Sequence, residues 1–312
     1  MDDEKPADIV ASMVDASVKK LTLSPRDLLI RGAISGALLG AATGFSFSAT
    51  VSTGEPLAGA MAFPVGFAMI MVLGLELVTG NFAVLPLAPL EGRSLWSSVV
   101  AAWYWVFLGN LLGAMGFGGL LAITLTNMGT GAPPGIAAHI VAAAENKTLA
   151  NEALGNTGLI VAFVKGILCN WLVCLGVVMA MMCRSTVGKI VVAWLPIVTF
   201  VAQGFEHSVV NMFVIPTGIM LGAKVSLSEW WMWNQIPVTL GNIVGGFFCT
   251  GFALYVTYRP AAKKQVTALP VVARALVELG GGGDARCRRG FPSRQTRSVC
   301  AEIMLKRKDR AR

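Results

Sequence analysis

Polar positions are scarce between residues 28 and 258, and where they fall divides the chain. Six apolar blocks, at about 28–51, 57–90, 95–126, 156–183, 188–222 and 234–258, are separated by polar stretches. A helix that crosses a bilayer needs ~20 apolar residues, so each block predicts one crossing. The second and fifth blocks are longer and interrupted: Glu76-Leu77-Val78-Thr79-Gly80-Asn81 breaks the one, and Glu206 to Asn211 breaks the other between Gly204 and Pro216-Thr217-Gly218. Glycine and proline at such edges break helices. An acid, an imidazole and an amide inside an apolar run are costly unless they pair or line a cavity. The pattern therefore predicts half-helices meeting at polar interruptions, the arrangement in which intramembrane sites are built.

The two interruptions belong to a repeat. Arg31-Gly32 matches Lys165-Gly166 at an offset of 134 residues, Glu76 and Asn81 match Glu206 and Asn211 at 130, and Leu108-Gly109-Asn110 with Gly113 matches Leu240-Gly241-Asn242 with Gly245 at 132. Each half holds an odd number of crossings, so the second half enters from the opposite face. The expected fold is an all-α membrane protein with six transmembrane helices in a 3+3 inverted repeat, helices two and five broken. Its domains are a polar, mildly amphipathic segment at 1–26, a pore domain at 27–258 with repeats at about 27–126 and 155–258, and a basic tail at 259–312. Val10, Met13, Val14 and Val18 predict a short surface helix in the first segment. Residues 127–155 read as a loop.

Composition agrees with the pattern. The 312 residues are 55% hydrophobic and 13% charged with a mean hydropathy of +0.67, which makes the chain an integral membrane protein. The net charge of +8 comes largely from Tyr258 onward and reports topology and a tail, not a nucleic-acid surface. Lys5, Lys19, Lys20, Arg26, Arg93, Arg184, Lys189 and the tail carry the cations of one side, against Lys147 and Lys224 on the other, so both termini are expected in the cytoplasm. The tail reads as disordered, either a basic attachment to anionic lipid or a dispensable extension. The four cysteines in apolar blocks lack metal-ligand spacing. Asn146-Lys147-Thr148 is a glycosylation sequon on the expected outer side.

Leu75 to Asn81, Ile167-Leu168-Cys169-Asn170-Trp171-Leu172-Val173-Cys174, Gly204 to Phe213, and Ile236 to Asn242 together resemble the formate/nitrite transporter family, over about Leu28 to Tyr258. Algal members carry runs much like the second and fourth, which points to a photosynthetic eukaryote as the source, with the plasma membrane favoured over a plastid envelope. The resemblance implies an aquaporin-like repeat, a homopentamer with one pore per protomer, and passage of small monovalent anions such as formate, nitrite, lactate or bicarbonate. By resemblance the central histidine falls on His207, the loop threonine on Thr79, the vestibule lysine on Lys165 and the pore-side asparagine on Asn170. His207 and Thr79 are expected to bond each other or substrate. The apolar constrictions fall on Phe63, Phe67 and Leu77 toward one mouth and Phe200 toward the other. Val78, where an aromatic is common, and Gln203, where a small residue is usual, depart from the pattern.

The residues themselves suggest how such a pore works. Desolvating an anion in a greasy ring costs far more than thermal energy, whereas its neutral acid crosses cheaply. Lys165, with Arg31 at the matching place, draws the anion into a vestibule, where the falling dielectric favours protonation. His207, with Glu206 and Asn211 beside it, is the side chain whose ordinary titration lies nearest neutrality. Glu76 and Glu206 are expected to accept backbone N–H groups freed at the breaks, and Asn110 and Asn242 to tie helices together. No Walker motif, nucleophile elbow or paired metal ligands occur, so no enzyme and no cofactor is expected. Two other readings stand beside this one. An aquaporin-type neutral-solute pore needs Asn-Pro-Ala loops that neither break carries, and a non-transporting membrane subunit leaves the polar constellation without a purpose.

Overall fold

A computed structural model describes residues 6–130 and 135–258, all of whose regular elements are helical. The basic tail and the expectations attached to it lie outside those residues. Five described helices are long and apolar enough to cross a membrane, and three shorter apolar stretches accompany them.

The first half begins with α1 (Pro6–Leu21) and α2 (Pro25–Thr53). Ser24 starts α2 by accepting the Asp27 amide at 3.1 Å, with Pro25 pre-set for the first turn. The second block runs as α3 (Pro56–Ala62), α4 (Pro64–Leu73), α5 (Val78–Val84) and α6 (Leu87–Leu90), and α7 (Trp96–Thr126) closes the half. The second half comprises α8 (Gly135–Ala153), α9 (Asn156–Met182), α10 (Thr186–Ala202) and α11 (Ser208–Met220). After them come α12 (Leu227–Trp230), a π-turn at Trp231–Gln235, α13 (Ile236–Gly246) and a second π-turn at Phe247–Phe252.

Two expectations are corrected. Residues 135–153 form a helix rather than a loop, because Ala137, Ile140, Ala144 and Thr148 recur at helical spacing and pack inward. The sequon falls inside this helix with Thr148 fully buried, its hydroxyl donating to Ala144 O at 2.7 Å. Helix α1 forms with Asp15 and Lys19 on its open face, but its apolar face packs on the protein rather than on lipid. Ile9, Val10, Met13, Val14 and Ser17 are buried, and Ser17 donates to Leu85 O at 2.8 Å.

Burial runs inside out, as a bilayer solvent requires. Every residue of α5 is buried, as is nearly all of α11. The long helices around them expose large apolar side chains, among them Ile30, Phe45, Leu120, Leu195 and Phe248. Each half is clamped by a close helix pair, α2 with α7 and α9 with α13, because small residues let the backbones approach. A Cβ on Gly113 would collide with the Ala33 carbonyl, and one on Gly241 with the Phe163 carbonyl. Gly113→Ala is therefore expected to cost about 1–3 kcal/mol by overpacking, read as a lower melting midpoint in detergent. An unchanged midpoint would contradict the clamp.

Candidate functional site

The interruptions share one backbone. Gly74 and Gly204 both take φ 64, a left-handed conformation that glycine adopts without strain. The chain then runs extended to Leu77 (φ −115, ψ 120) and His207 (φ −112, ψ 119), the residues that precede α5 and α11.

One asparagine from the far end of each half completes each break. Asn110 Oδ1 accepts Val78 N at 3.0 Å, while its Nδ2 donates to Gly32 O at 2.8 Å and Glu76 O at 3.0 Å. Asn242 repeats this, accepting Ser208 N at 2.9 Å and donating to Gly166 O at 2.8 Å and Glu206 O at 3.0 Å. Donors and acceptors freed by the break are thus satisfied without water. This role was expected of Glu76 and Glu206; a carboxylate can only accept, so an amide serves better where both polarities are unpaired.

The glutamates instead hold lysines. Glu76 Oε2 accepts Lys20 Nζ at 2.6 Å and Asn81 Nδ2 at 2.8 Å. Both Glu206 oxygens lie 2.9 Å from Lys147 Nζ, and Glu206 Oε2 also accepts Asn211 Nδ2 at 2.7 Å. Both carboxylates are buried, so each needs its cation. Lys165 is exposed on α9, and what it brings to the site is its main-chain carbonyl, which accepts Glu206 N at 3.4 Å. Sequence reasoning passed over Lys20 and Lys147 because both lie outside the apolar blocks. Their 127-residue separation, close to the repeat offsets, was the available signal.

His207 and Phe200 form an aromatic centre at the second break. His207 is 3% exposed, accepts Val210 N at Nδ1 over 3.3 Å and stacks on Phe200 at 5.9 Å with an interplanar angle of 20°. Accepting at Nδ1 leaves the ring proton on Nε2. Phe63 meets Phe200 edge to face at 5.7 Å, so it joins Phe200 rather than Phe67. Asn170 Nδ2 donates to Thr79 O at 3.0 Å and Asn242 O at 2.6 Å, linking the two breaks. Thr79 Oγ1, Ser208 Oγ and Asn170 Oδ1 are buried without a hydrogen-bond partner. Of the two partners expected for Thr79, the imidazole of His207 is not one, since the threonine hydroxyl takes no hydrogen bond. Val78 is fully buried, and Gln203 is exposed, its Nε2 donating to Thr199 O at 3.3 Å.

A cavity of about 300 Å³ opens at the α1 face, lined among others by Lys20, Arg31, Phe67, Glu76, Leu77 and Asn81. Phe67 and Leu77 supply apolar surface there, beside cations that attract a negative solute. Among the described residues no group of three or more histidine, cysteine, aspartate or glutamate side chains could hold a metal ion.

Comparison with known proteins points the same way. The family described as formate/nitrite transporter matches residues 7–256. A probable formate transporter of Methanothermobacter thermautotrophicus is 42% identical over 205 residues, 63% of this chain and 73% of that protein. Among solved structures, a pentameric formate channel with formate bound superposes with a TM-score of 0.62 at 29% identity, over 75% of this chain and 97% of that one. An ion channel of the same family gives a TM-score of 0.70 at 26% identity, over 80% and 98%.

Proposed function

Because the chain belongs to the formate/nitrite transporter family, we propose that it passes formate and nitrite, and by the same chemistry lactate or bicarbonate, through a proton-linked pore in each protomer of a homopentamer. The observation that carries this reading is the buried imidazole of His207. It is fixed at Nδ1, stacked on Phe200, and set in a chain that also buries the unpartnered hydroxyls of Thr79 and Ser208. Buried polar atoms without partners cost free energy, and a small oxyanion or its acid supplies the missing donors and acceptors.

The pathway runs from the α1 face inward, and six crossings with both termini cytoplasmic put that face in the cytoplasm. Lys20 and Arg31 raise the local anion concentration in the cavity at that mouth. Beyond Phe67 and Leu77 the low dielectric favours the protonated, neutral form. The acid passes the His207 centre and the Phe63–Phe200 pair, then gives up its proton near Lys147. Formate leads the substrate order, since relatives named for formate span most of the fold. A neutral-solute pore is disfavoured by two lysine–glutamate pairs at the breaks, each with its carboxylate buried.

The test is uptake of labelled formate, nitrite and bicarbonate by proteoliposomes across pH 5–8. His207→Asn is expected to assemble normally and to flatten the pH profile of formate uptake. A profile identical to that of the wild type would remove the imidazole from the mechanism, and absence of flux in the wild type would remove the reading itself.

A further inference from the structure

The two halves repeat each other closely, and the place where they stop doing so is informative. The 132 residues between Asn110 and Asn242 put Ala102 opposite Asn234. Asn234 lies in the π-turn Trp231–Gln235, whereas α7 is an uninterrupted α-helix at Ala102. Single π-turns inside helices are rare and concentrate at functional sites.

Asn234 is fully buried and every polar atom of its side chain is used. Its Nδ2 donates to Lys147 O at 3.0 Å and to Glu206 Oε2 at 3.3 Å, and its Oδ1 accepts Asn211 Nδ2 at 2.7 Å. Asn151 adds a second tie between α8 and the π-turn, donating to Trp233 O at 3.2 Å and Lys147 O at 2.9 Å. The helix that carries Lys147 is therefore fastened to the π-turn that leads into α13. Ala102 has no side-chain polar atom to offer the first half.

The lysines differ accordingly. Lys20 divides its donors between Glu76 Oε2 at 2.6 Å and Asn81 Oδ1 at 3.1 Å, lines the open cavity, and is 29% exposed. Lys147 donates to both Glu206 oxygens at 2.9 Å and is 20% exposed. In its half Asn211 turns its amide to Glu206 and Asn234, and Asn211 Oδ1 is left buried without a partner. The amide that would compete for the ammonium is thus held away by Asn234.

We infer that Asn234 is a positioning residue that latches Lys147 onto Glu206, so that the α8 mouth recruits anions less readily than the α1 mouth. An anion entering from the α8 face must draw Lys147 off a carboxylate whose geometry the latch has fixed. An anion entering from the α1 face meets Lys20 in an open cavity with a looser hold. The asymmetry lies in the entry steps, so it appears in half-saturation and not in the equilibrium distribution of the anion. This inference rests on the transport reading above.

The experiment measures initial formate flux in each direction, in vesicles sorted for one orientation by an affinity tag at Met1. Wild-type protein is expected to half-saturate at a higher formate concentration from the α8 face than from the α1 face. Asn234→Ala, which copies the counterpart residue, should lower half-saturation from the α8 face by about tenfold, as loss of one charge-assisted hydrogen bond would, and leave the α1 face unchanged. Asn234→Ser, which keeps a shorter donor, should fall between. A merely structural role would depress maximal flux from both faces together. Symmetric half-saturation in the wild type, or an Asn234→Ala protein with normal flux and unmoved α8-face half-saturation, would overturn the latch while leaving transport intact. Should Asn234→Ala fail to fold, the Asn234→Ser comparison and the wild-type asymmetry decide the matter. Absence of wild-type flux in either direction overturns both the transport reading and the latch.

Discussion

Replacing Lys147 by methionine should destabilise the protein by about 3–5 kcal/mol, the loss typical when one member of a buried ion pair is removed. The methylene stem is conserved, so packing changes little and the effect is electrostatic. What the substitution leaves behind is the Glu206 carboxylate, buried at 6% exposure and facing only the amides of Asn211 and Asn234. The double variant Lys147→Met with Glu206→Gln removes both charges and should regain most of the loss, because a neutral amide still meets the neighbouring amides at low desolvation cost. Thermal midpoints in detergent, read with the oligomer peak on size exclusion, check both. A single variant as stable as the wild type would show that Glu206 does not depend on this ammonium.

Asn242→Leu is expected to be at least as damaging. Its side chain serves three buried backbone groups, Ser208 N, Gly166 O and Glu206 O. Leucine fills a similar volume and serves none of them, and each orphaned buried group costs about 1–3 kcal/mol. The second break then loses the fastening that fixes His207 immediately before α11. Asn110→Leu should do the same at the first break, through Val78 N, Gly32 O and Glu76 O. Surface expression and detergent-resistant assembly are the measurements. Normal assembly of both leucine variants would show that water or relaxation satisfies the breaks.

The paired asparagines also show how far the sequence alone can be read. Hydropathy and the near-constant offsets between Glu76 and Glu206 and between Asn110 and Asn242 determine that the chain is a repeated, helical membrane protein interrupted twice. Both interruptions, and the motifs that place the chain in its family, are local in sequence, and local signals survive without coordinates. Which partner each buried polar group takes is not local. Glu76 finds Lys20 across 56 residues and Glu206 finds Lys147 across 59, and both lysines come from segments that read as a surface helix and a loop. Lys165 has the better sequence position, yet its side chain is exposed and takes no part in either ion pair. Phe63 and Phe200 meet only because α3 and α10 pack together. Composition and periodicity therefore decided the fold class and the positions of the breaks. Tertiary structure decided the countercharges, the caps and the latch at Asn234, because a buried charge or amide is satisfied by whatever lies within about 3 Å in space, whatever the distance along the chain.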